Sequence, residues 1–356
     1  MDQIINSAVA LTQELVRVPS ESSEAAATRG SPESGIAAVL QRICEDNAIV
    51  WQRQKVFPDR YNFIASLPKP GSPKILFLAH MDTVGVGGMR DAFSGEIKNN
   101  RIWGRGACDD KGSLAALLAV ISGLKAVEKS LLYDVTLAAT VDEECSMSGA
   151  AVLARENPSG WDLCVGMEPT LLQPVSAHRG VYRCRILGHN KAEFAVQEII
   201  ADLSSFQEIV AKASHPNLGK AVMTVTEIKA EGGGRHRILV DIRLLPVHSP
   251  AKIHAQVLRI VGERGKVIPL FAGYGIDSDP QNTFIQSFQR SLSDHGLDKT
   301  LGAVPYATDC SQLRGRGACL VWGPGNPKQA HQNEEYIEVG QLASACRILM
   351  NFLSHC

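Results

Sequence analysis

Short apolar runs alternate with helical periodicity through the first half of this chain, and that rhythm limits its folds more than any other feature. Ile4, Ala8, Leu11 and Leu15 recur at helical spacing within a predicted helix over 3–17, and a second helical pattern covers 34–46. Short β-rich runs follow at 49–56, 61–67 and 74–79. Then come a strong helix pattern at 112–127, a buried strand at 133–141, a helix near 148–155 and a strand at 163–166. Strands that alternate with helices in this way predict an α/β sheet covered by helices on both faces.

After Gly180 the rhythm changes. The pattern predicts a strand at 181–187, a helix at 192–213, strands at 221–229 and 235–244, a helix at 250–264 and a strand at 266–271. A β-α-β-β-α-β order is that of a ferredoxin-like sandwich, a domain in its own right. Beyond Asp279-Pro280 the α/β rhythm resumes with a helix near 281–294, a strand at 318–322 and a helix at 339–353. The expected organisation is a discontinuous α/β mixed-sheet domain, 1–179 and 277–356, interrupted by an inserted α+β domain at 180–276. A length of 356 residues agrees with two domains.

Composition removes several classes of function. With 36 Lys+Arg against 37 Asp+Glu, the chain has no basic excess for nucleic acid or for an anionic membrane surface. Its longest apolar stretch, 113–124, falls short of the ~20 residues a bilayer requires. Asp2 stands where a secretory leader would carry positive charge. The nine cysteines include no Cys-x-x-Cys pair, which argues against a thiolate zinc site or a disulfide framework. Reduced thiols in a cytoplasmic protein are the expectation.

Five short segments carry chemistry. The apolar run Leu76-Phe77-Leu78-Ala79 ends in His80-Met81-Asp82, and alternation along an extended chain turns both polar side chains to one face. An imidazole there suits a metal, with a carboxylate to support it. The segment Trp103-Gly104-Arg105-Gly106-Ala107-Cys108-Asp109-Asp110-Lys111-Gly112 delivers Asp109 to the mouth of the strong helix, as an N-cap or as a ligand. Its Gly-x-Gly lacks the third glycine of a dinucleotide fingerprint. Asp142-Glu143-Glu144 closes a buried strand, and three adjacent carboxylates repel one another unless a cation offsets them. Glu168 follows another short apolar strand, and His331 lies in the loop that starts Gly323-Pro324-Gly325. Taken alone, most of these segments read more readily as an ordinary strand end or loop, with even odds for Asp142-Glu143-Glu144. Together they place His and carboxylates after four strands and in one late loop, and in open α/β sheets such ends share one edge. The N/O inventory is that of a two-metal site, and neither His-Glu-x-x-His nor Gly-x-Ser-x-Gly is present as a competing motif.

These segments in this order resemble the M20 metallopeptidases, most closely the acetylornithine deacetylase / succinyl-diaminopimelate desuccinylase branch. The resemblance runs from Val16-Arg17-Val18-Pro19-Ser20 through 94–112 to 323–338. It implies a zinc-exopeptidase-like catalytic domain with a ferredoxin-like lid at 180–276, and dimerisation through that lid. It implies two Zn²⁺, replaceable by Co²⁺. His80 and Glu168 would serve one ion, Glu144 and His331 the other, with Asp109 bridging across a peptide that is often cis in the family. Asp82 would orient His80, and Glu143 would be the general base. The implied reaction is hydrolysis of an N-acyl amino acid, with di- or tripeptidase and carboxypeptidase activity as the alternative and an inactive binding relative as a remoter one. Arg243 would grip a substrate carboxylate, although a salt bridge within the sheet explains it equally, and Gly325 would line the pocket.

Two lid segments are shorter than the family pattern. Gly188 runs through His189-Asn190-Lys191-Ala192 almost directly into a helix, and Glu231-Gly232-Gly233-Gly234-Arg235 leads straight into a strand. His189 therefore cannot be equated with the lid histidine of relatives. Either the lid is trimmed, or the chain as written closes over absent loops; the second is the expectation.

Overall fold

The structure is a computed structural model that describes residues 1–22, 31–126, 131–188, 193–231 and 236–354. The chain divides into two compact units. The first holds 1–176, 278–301 and 308–356, and the second holds 177–277 with 302–307. The expected break points were 180 and 276, and the stretch 302–307 carried no signal of its own.

In the first unit a mixed sheet runs in the order Val50–Lys55, Tyr61–Leu67, Asp134–Thr140, Lys74–His80, Leu163–Gly166, Ala318–Val321. The first two pairings are antiparallel and the last three parallel. Register sets His80 opposite Thr140, and Leu78 and Val321 each opposite Gly166. The four parallel strands therefore end together, and the loops leaving them start from one edge. The two central strands are buried along almost their whole length, as strands covered on both faces must be.

One covering helix, Lys111–Lys125, is apolar around most of its circumference. A helix of that kind needs neighbours on several sides. It packs against Asp2–Val16 and Val339–Leu353. Leu114, Leu117, Leu118 and Ile121 are fully buried there, each contributing roughly 1.5–3 kcal/mol. Gly123 permits the close approach, since a Cβ at that position would lie 2.5 Å from Ile4 Cδ1.

The second unit is an antiparallel four-stranded sheet in the order Val222–Ala230, His236–Leu244, Gly180–Gly188, Gly265–Gly273. Helices Glu193–Val210 and Pro250–Val261 supply Ile199, Leu203, Val257 and Val261 to a core with Ile186, Ile238, Val240 and Ile242. Connectivity and strand order are those of a ferredoxin-like sandwich. The two short joints singled out in the sequence, 189–192 and 232–235, lie outside the described residues. Among the described residues no helix is long and apolar enough to cross a membrane.

Candidate metal centre

The loops at the common edge bring His80, Asp109 and Glu144 together, with one ligand atom from each inside a 4.8 Å cluster. Their arrangement follows from the backbone. His80 is the last residue of its strand and is 2% exposed. Its Nδ1 lies 2.9 Å from the backbone oxygen of Asp82, which fixes Nδ1 as the donor and turns Nε2 to the cluster. Nε2 is 2.9 Å from Asp109 Oδ1.

The other oxygen of Asp109 faces a different imidazole, with Oδ2 3.4 Å from His331 Nε2. That nitrogen is also 3.2 Å from Glu144 Oε1 and 3.1 Å from Oε2. Asp109 thus stands between two histidines and offers one oxygen to each. The Asp109-Asp110 peptide is cis, and His331 holds a left-handed φ of 63°.

Asp82 meets His80 Nδ1 twice, through its backbone oxygen at 2.9 Å and, at ion-pair distance, through its carboxylate at 3.8 Å. The carboxylate also accepts the backbone N–H groups of Glu143 at 3.1 Å and Glu144 at 3.2 Å. Asp142, which precedes them at φ 70°, accepts from buried Arg60 at 3.0 Å. Arg60 is also paired with buried Glu33.

The electrostatics show what such crowding costs. Burial pushes the carboxyl of Asp82 up to about 7. Burial, then the charge of Asp109, pushes Glu168 up to about 8. Burial and the neighbouring Glu168 drive Glu143 well above the usual carboxylate range. The hydrogen bonds that His331 donates to Asp109 and Glu144 lift it to about 10. Burial would lower His80, but the hydrogen bond and charge of Asp109 outweigh it and raise the imidazole well above its usual value. Buried acids with raised pKa values, crowded around two imidazoles, favour a compensating positive charge at this point of the fold.

The donor set fits divalent transition metals. It consists of imidazole nitrogens and carboxylate oxygens, and donor pairs on one tetrahedral ion with ~2.0–2.1 Å bonds stand roughly 3.3 Å apart. The separations of 2.9–3.4 Å around Asp109 and Glu144 are close to that value. The adjacent thiols are engaged elsewhere. Cys108 Sγ lies 3.4 Å from the Asn326 carbonyl, and Cys145 Sγ lies 3.3 Å from Ser22 Oγ.

Not every expected residue joins this cluster. Glu168 follows its strand as expected and acts on His80 and Asp109 through its charge, outside the 4.8 Å group. Gly325 is buried with φ 99°, and a Cβ there would lie 2.7 Å from Cys108 Sγ, so close packing already requires glycine. Arg243 Nε is 2.8 Å from Asp241 Oδ1 in the second unit, and Arg183 shares the same carboxylate. The salt bridge within the sheet, one of the two readings of Arg243, is therefore formed.

Sequence reasoning missed Glu335, Arg105 and Arg60. Glu335 accepts the N–H groups of Cys108 at 2.9 Å and Asp109 at 3.1 Å, and pairs with Arg105 Nη1 at 2.6 Å. No local pattern marks such partners, because they meet only after folding.

Comparison with known proteins bears on the family and the fold. The model of Peptidase family M20/M25/M40 matches residues 76–355. The acetylornithine deacetylase of Buchnera aphidicola subsp. Acyrthosiphon pisum (strain 5A) is 26% identical over 366 residues, covering 94% of this chain and 94% of that protein. Among solved structures, the M20 family metallo-carboxypeptidase Sso-CP2 from Sulfolobus solfataricus superposes with a TM-score of 0.78 at 17% identity, covering 99% of this chain and 98% of that one. The di-peptidase Dug1p from Saccharomyces cerevisiae superposes with a TM-score of 0.76 at 11% identity, covering 99% and 97%.

Proposed function

The chain belongs to peptidase family M20/M25/M40, and from that premise we propose that it is a di-zinc amidohydrolase removing the acyl group of an N-acyl amino acid. The observation that carries the reading is the division of Asp109 between His80 and His331, with Glu144 completing the second imidazole's surroundings. One carboxylate facing two imidazoles suits two ions better than one. The likeness to an acetylornithine deacetylase over nearly the whole chain supports the substrate class.

In this reading His80 and Glu168 would hold one ion and Glu144 and His331 the other, with Asp109 contributing to both. Zn²⁺, or Co²⁺ in its place, would acidify a water and polarise the scissile carbonyl. Glu143, the residue beside Glu144, would take the proton from water and deliver it to the leaving amine. Asp82 holds Glu143 and Glu144 by their amides, so base and ligand keep a fixed relation. Arg243 remains the proposed anchor for the substrate carboxylate on the chemistry of its guanidinium fork, and Gly325 a proposed pocket residue. We further propose a cytoplasmic homodimer, with residues 180–276 as the lid and the dimer contact.

The test is a hydrolysis panel with added Zn²⁺ or Co²⁺, comparing acetyl-ornithine, succinyl-diaminopimelate and dipeptides, together with metal analysis of the purified protein. Turnover of an acyl amino acid with two ions bound is the expected result. Turnover of dipeptides alone would replace the substrate assignment by a peptidase. Absence of transition metal after zinc addition would end the whole reading.

A further inference from the structure

Two segments far apart in sequence supply the two sides of the second-ion site, and one buried ion pair fastens them together. Glu335 is 1% exposed, and both its oxygens are committed. Oε1 accepts from Cys108 N and Asp109 N, at 2.9 and 3.1 Å. Oε2 accepts from Arg105 Nη1 at 2.6 Å. That same Nη1 lies 3.2 Å from the backbone oxygen of Gln332, the residue after His331. The backbone of Glu335 closes the loop by accepting from Gly104 N at 3.1 Å. Residues 104–109 are thereby wrapped on the carboxylate of Glu335, and the His331 segment is tied back to the same arginine.

His80 has separate support in its strand and the carbonyl of Asp82. Among the described residues His331 lies in a loop of turns rather than in a strand. Among the described hydrogen bonds and ion pairs, its imidazole meets only Asp109 and Glu144. Its position relative to Asp109 therefore depends on how the two segments are joined. Buried and fully bonded, Glu335 offers no oxygen to an ion or a substrate, and beside its charge it acts on the site through the backbone it holds.

We propose that Glu335, braced by Arg105, is a positioning residue that sets the distance between Asp109 and His331 and so governs affinity for the ion held by Asp109, Glu144 and His331. This inference rests on the two-metal reading. Partners standing behind metal ligands commonly change metal affinity ~10–100-fold when replaced.

The test titrates metal-free protein with Co²⁺, following heat and visible absorbance, in wild type, Glu335→Gln, His331→Ala and the double variant. The expected result is that Glu335→Gln weakens one of the two ions ~10–100-fold, that this is the ion lost in His331→Ala, and that the double variant is no worse than His331→Ala alone. The core variant Leu292→Ala, buried in the helix Thr283–Asp294, controls for general loss of stability. Equal affinities for both ions in Glu335→Gln and wild type would overturn the proposal, as would an equal loss in Leu292→Ala. If Glu335→Gln does not fold, Arg105→Lys, which keeps the charge but changes the fork, decides by the same readout. A wild type that binds no Co²⁺ would refute the metal centre itself, an outcome distinct from failure of the brace.

Discussion

Asp82 Oδ2 accepts the backbone N–H of Glu144 at 3.2 Å, while Oδ1 accepts that of Glu143 at 3.1 Å. A buried carboxylate with two amides in its fork holds the proposed base and the proposed ligand as one unit. Asp82→Asn turns one acceptor into an NH₂ group facing an N–H donor. We expect kcat to fall roughly 10–100-fold with the fold intact by circular dichroism. Unchanged turnover would show that the fork does not matter to the reaction.

The proposed reading gives the adjacent Glu143 and Glu144 different tasks, so their variants should separate. Glu143→Gln keeps shape and removes the proton acceptor; kcat should drop by about 10²–10⁴ while two ions still bind. Glu144→Gln should instead weaken metal binding. If Glu143→Gln kept full turnover on every hydrolysed substrate, another group would have to be the base.

Without metal, the centre should make the protein less stable as pH rises. Burial raises Asp309 to about 6, Asp82 to about 7 and Glu168 to about 8, all above their unfolded values near 4. For each, the unfolded chain gives up its proton first, so the stabilisation present below pH ~4 is lost as pH climbs through the folded value. His331, raised to about 10, changes in the same direction above pH ~6.5. Chelated protein should therefore melt at a lower temperature at pH 8 than at pH 5, and zinc should narrow the gap. Asp309→Asn, which preserves an acceptor for Thr140 Oγ1, should remove part of the fall between pH 4 and 6. A flat Tm profile for the chelated protein would contradict this account.

Gly104 opens the segment that carries Asp109. Its φ is 145°, and an added Cβ would lie 2.3 Å from Val16 Cγ1 and 2.8 Å from the Ala92 carbonyl. Gly104→Ala should cost about 1–3 kcal/mol for the backbone alone, with the clash added. Tm should fall by several degrees, and a Tm within one degree of wild type would show that the turn can relax.

The alternation of apolar runs was legible because strands covered on both faces leave few polar positions, and the helix 112–127 predicted from its pattern corresponds to Lys111–Lys125. Strand ends were legible for the same reason: His80, Asp142 and Glu168 interrupt runs that are otherwise apolar. The small sheet of Glu96–Lys98, Arg101–Trp103 and Tyr336–Glu338 was not, because its first strand is wholly exposed and offers no alternation. Its hairpin did leave a trace in Asn99-Asn100, both at positive φ, a pair that tolerates the left-handed turn. Glu335 and Arg105 were invisible for a different reason. A buried ion pair between residues 230 apart has no periodicity, and each partner reads alone as an ordinary surface charge.

The spacing of Glu144 and His331, which are 187 residues apart, also sets an order of assembly during synthesis. At ~5–20 residues per second, about 10–40 s separate the appearance of the two. Through that interval the nascent chain holds His80, Asp109 and Glu144 but not the second histidine, and Arg105 waits equally for Glu335. The Arg60 clamp on Glu33 and Asp142 comes entirely from the early segment and can form at once. The growing chain thus has an internal counterion for one part of its acidic cluster from the outset, whereas the surroundings of Asp109 and Glu144 are completed only when the last loop brings His331.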